Sequence, residues 1–499
     1  MFRKITMAAA CAALLSAAAC SDPEVPVAVD ANEALSEAAA AMGTANLDAI
    51  TYSGTAKMAR NSFMQTPNAN PPWPVHDLAN YRRTIDLTQP ASLATGEGFH
   101  GGLFMTEPTA QPYTQNIAAG QTAWGQQLEI WLTPWGFLKG AAANNAEAVS
   151  QMMDGTQYTI VTWKSPAEQT APSGLQYTVT GYLTEDNLVD HVETWVEDPI
   201  MGDMHVVARY SDYQDFGGVQ VPTRMVQERG GGSVFEVTVA DATANPANVA
   251  ELLTPPPPPA GRGGGAGRAG GPGGGRAGAP GGGRGAPAAP TELAEQVGDG
   301  VYLIGGGYVA LVAEFADHVA VFEGGQSEAR GQQIVDEVKR ILPNKPIRYI
   351  INSHPHSDHS AGLAPFLREG ATLITQSNNV EFMRMAFSSP RTLLGQETMT
   401  PTVEGVDELR VLEDDTNRLE LHSVPNLHTD GMLVAFLPKQ KILFQADFTL
   451  PQPGQAANPF VVALAERIQA LNLDFDRYLA VHAAAQPQTK ADLMAVLEK

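Results

Sequence analysis

Between residues 174 and 242 the chain alternates apolar and polar positions in short runs: "GLQYTVTGYLTE", "LVDHVETWVED", "MHVVARYSDYQDF" and "SVFEVTVADA". A period of two turns one face of a strand to a core and the other to water. These runs therefore predict antiparallel strands, separated by turn residues at hairpin spacing. A helical opening, "NEALSEAAAAMG", precedes them, and residues 32–250 are expected to form a mainly β domain. From about Thr291 the pattern changes to alternating β and α. "VYLIGGG", "YVALVAEFADHVAVFEGG" and "IRYIINS" predict strands, while "EARGQQIVDEVKRIL" and "LAPFLREG" have helical spacing. "HSVPN", "MLVAFLP" and "KILFQAD" predict later strands, and residues 292–499 are long enough for one α/β domain.

The two patterned regions are separated by residues 251–291, which contain "PPPPPAGRGGGAGRAGGPGGGRAGAPGGGRGAP". Gly and Pro at this density bury too little apolar surface to offset chain entropy. A disordered linker is expected, carrying Arg262, Arg268, Arg276 and Arg284 as a mildly basic spacer. The N-terminal "MFRKITMAAACAALLSAAAC" has a basic start, an apolar run and small residues. This reads as a signal peptide over 1–19, too short to span a membrane. Small residues before Cys20 resemble the lipobox of bacterial lipoproteins, although Ala17 stands where Leu is usual. A lipidated Cys20 followed by a tether over 20–31 would place the product in the periplasm, or anchored at the outer membrane, of a Gram-negative-type bacterium. Cys11 leaves with the signal, so the folded body is expected to hold neither a disulfide nor a Cys metal ligand.

Charge narrows the partners. With 31 Lys and Arg against 54 Asp and Glu in 499 residues, the net charge is -23. Such a surface repels phosphate backbones, so a small-molecule substrate is expected and nucleic acid is not. The oligomeric state is not legible in the sequence.

The chemistry concentrates in "NSHPHSDHSAGL", where His354, His356, Asp358 and His359 crowd together in a chain of 11 histidines. His354 and His356, two apart beyond the apolar run Ile347–Ile351, can point the same way. Asp358 and His359 follow on the next turn. Imidazole and carboxylate together suit zinc, which needs three or four such ligands per ion. The rest of a site should lie at the ends of later strands. His428 in "VPNLHTDGMLVAFLP", Asp447 in "KILFQADF" and His482 in "RYLAVHAAAQ" occupy such positions. His318 and His422, like the scattered His76, His100, His191 and His205, read as structural.

H-x-H-x-D-H, then a His before a strand, an Asp after a strand and a final His resembles the motif set of the metallo-β-lactamase superfamily. The resemblance covers the segment after the linker. It implies a four-layer αββα sandwich and two zinc ions per chain. His354, His356 and His428 would hold one ion and Asp358, His359 and His482 the other, with Asp447 bridging. The implied reaction is hydrolysis by a metal-bridging hydroxide, with Asp358 as the catalytic residue that orients the water or takes up its proton. The N-terminal domain is similar, by pattern alone, to the half-barrel of periplasmic lipoprotein carriers.

Within the superfamily, iron flavoproteins use a carboxylate where this chain has His356, and sulfur dioxygenases with one iron keep the motif histidines. The commonest secreted β-lactamases need a Cys near Asp447, and this chain has none there. Hydroxyacylglutathione hydrolases and RNA-processing members carry further domains. Another lactamase subclass has an all-His and Asp site but usually lacks the bridging Asp, so Asp447 leans the expectation towards an exported hydrolase of carbonyl esters, lactones or thioesters, with phosphodiesters as an extension. The alternatives are a β-lactamase, or a non-catalytic envelope scaffold that binds lipid or protein through its N-terminal domain. Family members usually place Asp in a D-x-G turn after an early strand. Here "VAVFEGGQS" has Glu323 instead, which keeps the carboxylate but lengthens it by a methylene. The segment "EFMRMAFSSPRTLLGQETMTPTVEG" is expected either to lie over the site as an apolar lid, with Phe387 and Pro390, or to pack as a helix on its own core.

Overall fold

The computed structural model describes residues 26–59, 69–100, 109–257, 293–451, 454–482 and 488–498. The expected signal peptide, Cys20 and all but the first residues of the linker lie outside them. Among the described residues no helix is long and apolar enough to cross a membrane.

The alternating runs before the linker form a single antiparallel sheet of 12 strands among the described residues. Two meanders build it. Strands from Glu147–Met153 to Gly232–Ala244 follow one another in chain order. The last of these then pairs with Ala49–Ala59, which opens the second meander, running to Thr109–Ile117. Alternation places Val179, Val192, Val206 and Val221 on one face, where they share a core with the helices Ala31–Met42, Trp124–Trp131 and Pro134–Ala143. The first helix matches the opening read from the sequence. The other two were not anticipated, because "WGQQLEIWLTPWGFLKGAAA" is interrupted by Pro and Gly. Pro134 in fact begins its helix: Thr133 caps it by accepting from Gly136 N at 3.1 Å, and at that position the missing proline N–H costs nothing.

After the linker a seven-stranded sheet runs in chain order from Ala294–Gly298 to Val403–Val406, and a five-stranded sheet from Leu409–Glu413 to Arg477–Ala480. In the first sheet, Val319–Phe322, Ile347–Ile351, Thr372–Gln376 and Val403–Val406 are parallel neighbours. Of these, Val319–Phe322 is apolar and buried along its whole length, as a strand covered on both faces is. One apolar cluster mixes residues of both sheets: Leu311, Phe322 and Ile351 pack with Leu421, Ala435 and Phe444. Another joins Val312, Val321 and Ile350 to Ile334, Val338, Phe366 and Phe382 on the helices Glu328–Ile341, Ala364–Arg368 and Val380–Ser388.

The turn that carries the histidine motif is seated by glycines. A Cβ on Gly331, within the helix Glu328–Ile341, would lie 2.0 Å from Gly362 O, and one on Gly362 would lie 2.1 Å from Gly324 O. Only residues without a side chain allow helix, motif turn and strand end to approach this closely.

The segment weighed as a lid does something else. Phe382, Met383 and Phe387 are buried in the domain's own core. Beyond them Pro390–Leu393 clasps the N-terminal sheet. Arg391 is buried, and its guanidinium donates to Pro199 O at 3.1 Å and to Ile200 O at 2.9 Å. The Asp203 carboxylate accepts from Thr392 N at 3.0 Å and Leu393 N at 2.9 Å, and Asp203 N donates to Pro390 O at 2.7 Å. An apolar helix adjoining a polar clasp is consumed by packing and cannot also close over a site.

Candidate metal centre

The strand Ile347–Ile351 ends in a buried polar run from Asn352 to His356. A single helical turn, Ser357–Ser360, follows and carries Asp358 and His359. Asn352 Nδ2 donates to His359 O at 3.2 Å, folding that turn back onto the strand end. His428 lies on the loop before the strand Leu433–Leu437, where Asn426 Oδ1 accepts from His428 N at 2.7 Å. Asp447 sits just past the strand Ile442–Gln445, in a turn held by Gln445 Oε1, which accepts from Phe448 N at 2.7 Å. His482 closes the strand Arg477–Ala480. All the donors thus sit at strand ends, where backbone direction changes and side chains can converge.

They converge in two adjoining groups. His354, His356, His428 and Asp447 form one and Asp358, His359 and His482 the other, each with donor atoms within 4.8 Å of one another. Asp447 faces both. Its Oδ2 is 2.9 Å from His428 Nε2 and 3.4 Å from His354 Nε2, while its Oδ1 is 3.0 Å from His359 Nε2 and 2.8 Å from His482 Nε2. His354, His356, His359 and His428 are buried, whereas the side chains of Asp358 and His482 are 31% and 32% exposed and form the open edge. His318 and His422 stand apart, paired with Asp317 and Glu420, as expected of structural histidines.

The donor chemistry fits a cation. His354 Nε2 and His428 Nε2 lie 3.2 Å apart and can share at most one proton between them. His359 Nε2 and Asp447 Oδ1 are both buried and lie 3.0 Å apart. Burial opposes a proton on His359, but the carboxylates of Asp447, Glu323 and Asp358 overcome it and raise its pKa well above the usual imidazole value. Burial, with His359 and His356 nearby, keeps His354 well below that value. For Asp447, burial favours the neutral acid, yet His359 and His354 hold it ionised, well below the usual carboxylate range. The carboxylates of Asp447, Glu323 and Asp358 thus converge on one imidazole, an environment whose negative charge a divalent cation neutralises.

Supporting groups fix these donors. Glu323 is fully buried; its Oε2 accepts from His359 Nδ1 at 2.8 Å and its Oε1 from Ser353 N at 3.0 Å. His359 Nε2 is thereby left to face the shared centre. Ser353 Oγ lies 2.9 Å from His354 Nδ1 and does the same there. Tyr308, not singled out from the sequence, donates its hydroxyl to Asp358 Oδ2 at 3.1 Å, with its ring 4.4 Å from that of His482. A tyrosine after "GGG" carries no motif, and only the folded loop brings it to the donors.

Comparison with curated proteins finds no match. Among solved structures, the chain is similar to the metallo-β-lactamase from Pontibacter korlensis at 15% identity and a TM-score of 0.33, covering 41% of this chain and 98% of that one. It is similar to the metallo-β-lactamase from Hirschia baltica at 16% identity and a TM-score of 0.32, covering 41% of this chain and 95% of that one. The family described as ODP family beta lactamase matches residues 309–492, the stretch that contains both donor groups. Residues 309–492 thus carry the match to a beta-lactamase family, which supports the metallo-β-lactamase resemblance of the histidine motif.

Proposed function

We propose that the chain is an exported dinuclear zinc hydrolase of carbonyl esters, lactones or thioesters, with phosphodiesters as the extension of that range. The observation that carries this reading is Asp447, whose two oxygens each face a different pair of imidazoles. One carboxylate shared between two donor groups suits a pair of neighbouring cations. His354, His356 and His428 would hold one ion and Asp358, His359 and His482 the other. Zinc, when bound, polarises the scissile bond and brings the pKa of water toward neutrality. Asp358, on the open edge, has a carboxylate within reach of an entering water, to orient it and accept its proton. Glu323 and Ser353 keep His359 and His354 turned inward, so the donors need not reorganise during reaction. The apolar cluster shared by both C-terminal sheets supports the αββα sandwich.

The test is turnover of lactones, β-lactams, thioesters, carboxylic esters and phosphodiesters by zinc-loaded protein, with His354→Ala as the blank. Hydrolysis of one bond class, lost in the variant, is the expected result; turnover of β-lactams alone would move the assignment to a lactamase. Silence across the panel in protein that holds zinc would favour the scaffold reading.

Export rests on the N-terminal sequence, where a basic start and apolar run precede Cys20. Expressed in a Gram-negative host, the full chain is expected in the membrane fraction after cleavage, and Cys20→Ser is expected to release it to the periplasm. A wild-type chain found in the periplasmic supernatant would remove the lipid anchor.

A further inference from the structure

We infer that Tyr308 is a positioning residue for the second donor group, holding Asp358 and His482 in the geometry that binds an ion. This rests on the two-ion reading and adds to it a residue that is not itself a donor.

The phenol donates to Asp358 Oδ2 at 3.1 Å. That same oxygen faces the other two members of the group, at 3.5 Å from His359 Nε2 and 4.0 Å from His482 Nε2. Asp358 is a partly exposed carboxylate on a one-turn helix, and a carboxylate free to rotate offers its oxygen only part of the time. A hydrogen bond to a charged acceptor is stronger than one between neutral groups and selects one rotamer. The ring adds a second constraint, standing edge-on to His482 at 4.4 Å and tilted against His359 at 5.6 Å. His482 is the other partly exposed donor, so Tyr308 touches both of the donors that burial does not fix.

The loop carrying Tyr308 is itself held from two sides. Arg330 donates through Nη2 to Ile304 O at 2.8 Å and to Tyr308 O at 3.0 Å, and through Nε to Tyr308 O at 3.3 Å. Burying a guanidinium is costly, and among the described residues Arg330 spends its hydrogen bonds on these carbonyls and on Gln333, with no carboxylate partner. On the other side Val309 N donates to Val481 O at 3.0 Å, so the residue after Tyr308 is tied to the residue before His482. The phenol is registered against His482 through the backbone as well as through its ring. A loop residue anchored by a buried cation and by a strand end has the rigidity a positioning role needs.

The experiment is titration of the full metal-free chain with Co2+, followed by visible absorption and by competition with a chromophoric chelator. Wild type is expected to take up two equivalents. In Tyr308→Phe, which keeps the ring, the first equivalent should bind as in wild type and the second about 10- to 100-fold more weakly, with an altered absorption band. Tyr308→Ala should weaken the second further. Circular dichroism of both variants should match wild type. Two equivalents bound by Tyr308→Phe with wild-type affinity and spectrum would overturn the inference while leaving the two-ion reading intact. A wild-type protein that takes up one equivalent only would overturn both, and that result needs no variant to be seen.

Discussion

Asp447→Asn is expected to reduce hydrolysis by on the order of 10³-fold or more, several kcal/mol of transition-state stabilisation, and to leave the protein holding at most one ion. The substitution is nearly isosteric, so packing is not the issue. The carboxylate lies between four imidazoles at 2.8–3.4 Å, two on each oxygen. An amide offers one acceptor and one donor, so whichever way it turns, one pair of imidazoles meets an N–H2 instead of an oxygen. The charge matters as much as the geometry. His359 and His354 hold Asp447 ionised despite burial, so its negative charge is the centre around which the other donors are arranged. Metal content by mass spectrometry, read beside kcat/KM, separates the two losses. A variant that retains two ions and near wild-type turnover would exclude a bridging role for Asp447.

How much of this was legible in the sequence follows from how local each determinant is. His354, His356, Asp358 and His359 lie within six consecutive residues, and their crowding is visible without any fold. His428, Asp447 and His482 could be found because each follows or precedes an apolar run, and the structure brings all three to the same end of the sheets. Tyr308 could not be found. It reaches Asp358 across 50 positions, through a loop whose placement depends on Arg330 and Val481. The helices Trp124–Trp131 and Pro134–Ala143 escaped notice for a related reason. Their apolar residues share the core of a twelve-stranded sheet, so burial on several sides blurs the helical period. The segment after Phe382 had two readings because Phe and Met are used alike in cores and in lids. Which one holds is decided by Pro199, Ile200 and Asp203, almost 200 residues earlier in the chain.

Glu323 supplies the other large expected effect. Its backbone has a φ of +83°, a left-handed conformation that residues with a Cβ occupy only at a cost of roughly 1–3 kcal/mol. If conformation alone mattered, Glu323→Gly would stabilise the protein. The expected result is the reverse. Both carboxylate oxygens are in use, one accepting from His359 Nδ1 at 2.8 Å and the other from Ser353 N at 3.0 Å, in a fully buried site. Glycine leaves both donors unpaired, at about 1–3 kcal/mol for each, which exceeds the strain relieved. Glu323→Gln is the sharper variant, because the amide accepts from only one of the two donors and sets N–H against N–H at the other. Loss of the Nδ1 contact lets the His359 ring turn, and outer contacts of this kind are worth about 10- to 100-fold in metal affinity. Glycine and glutamine variants are therefore both expected to lower Tm in the metal-free protein and to weaken zinc in chelator competition. A glycine variant with raised Tm and unchanged zinc affinity would show that the strained carboxylate does not orient His359, and that the lengthened side chain at this turn is incidental to the metal centre.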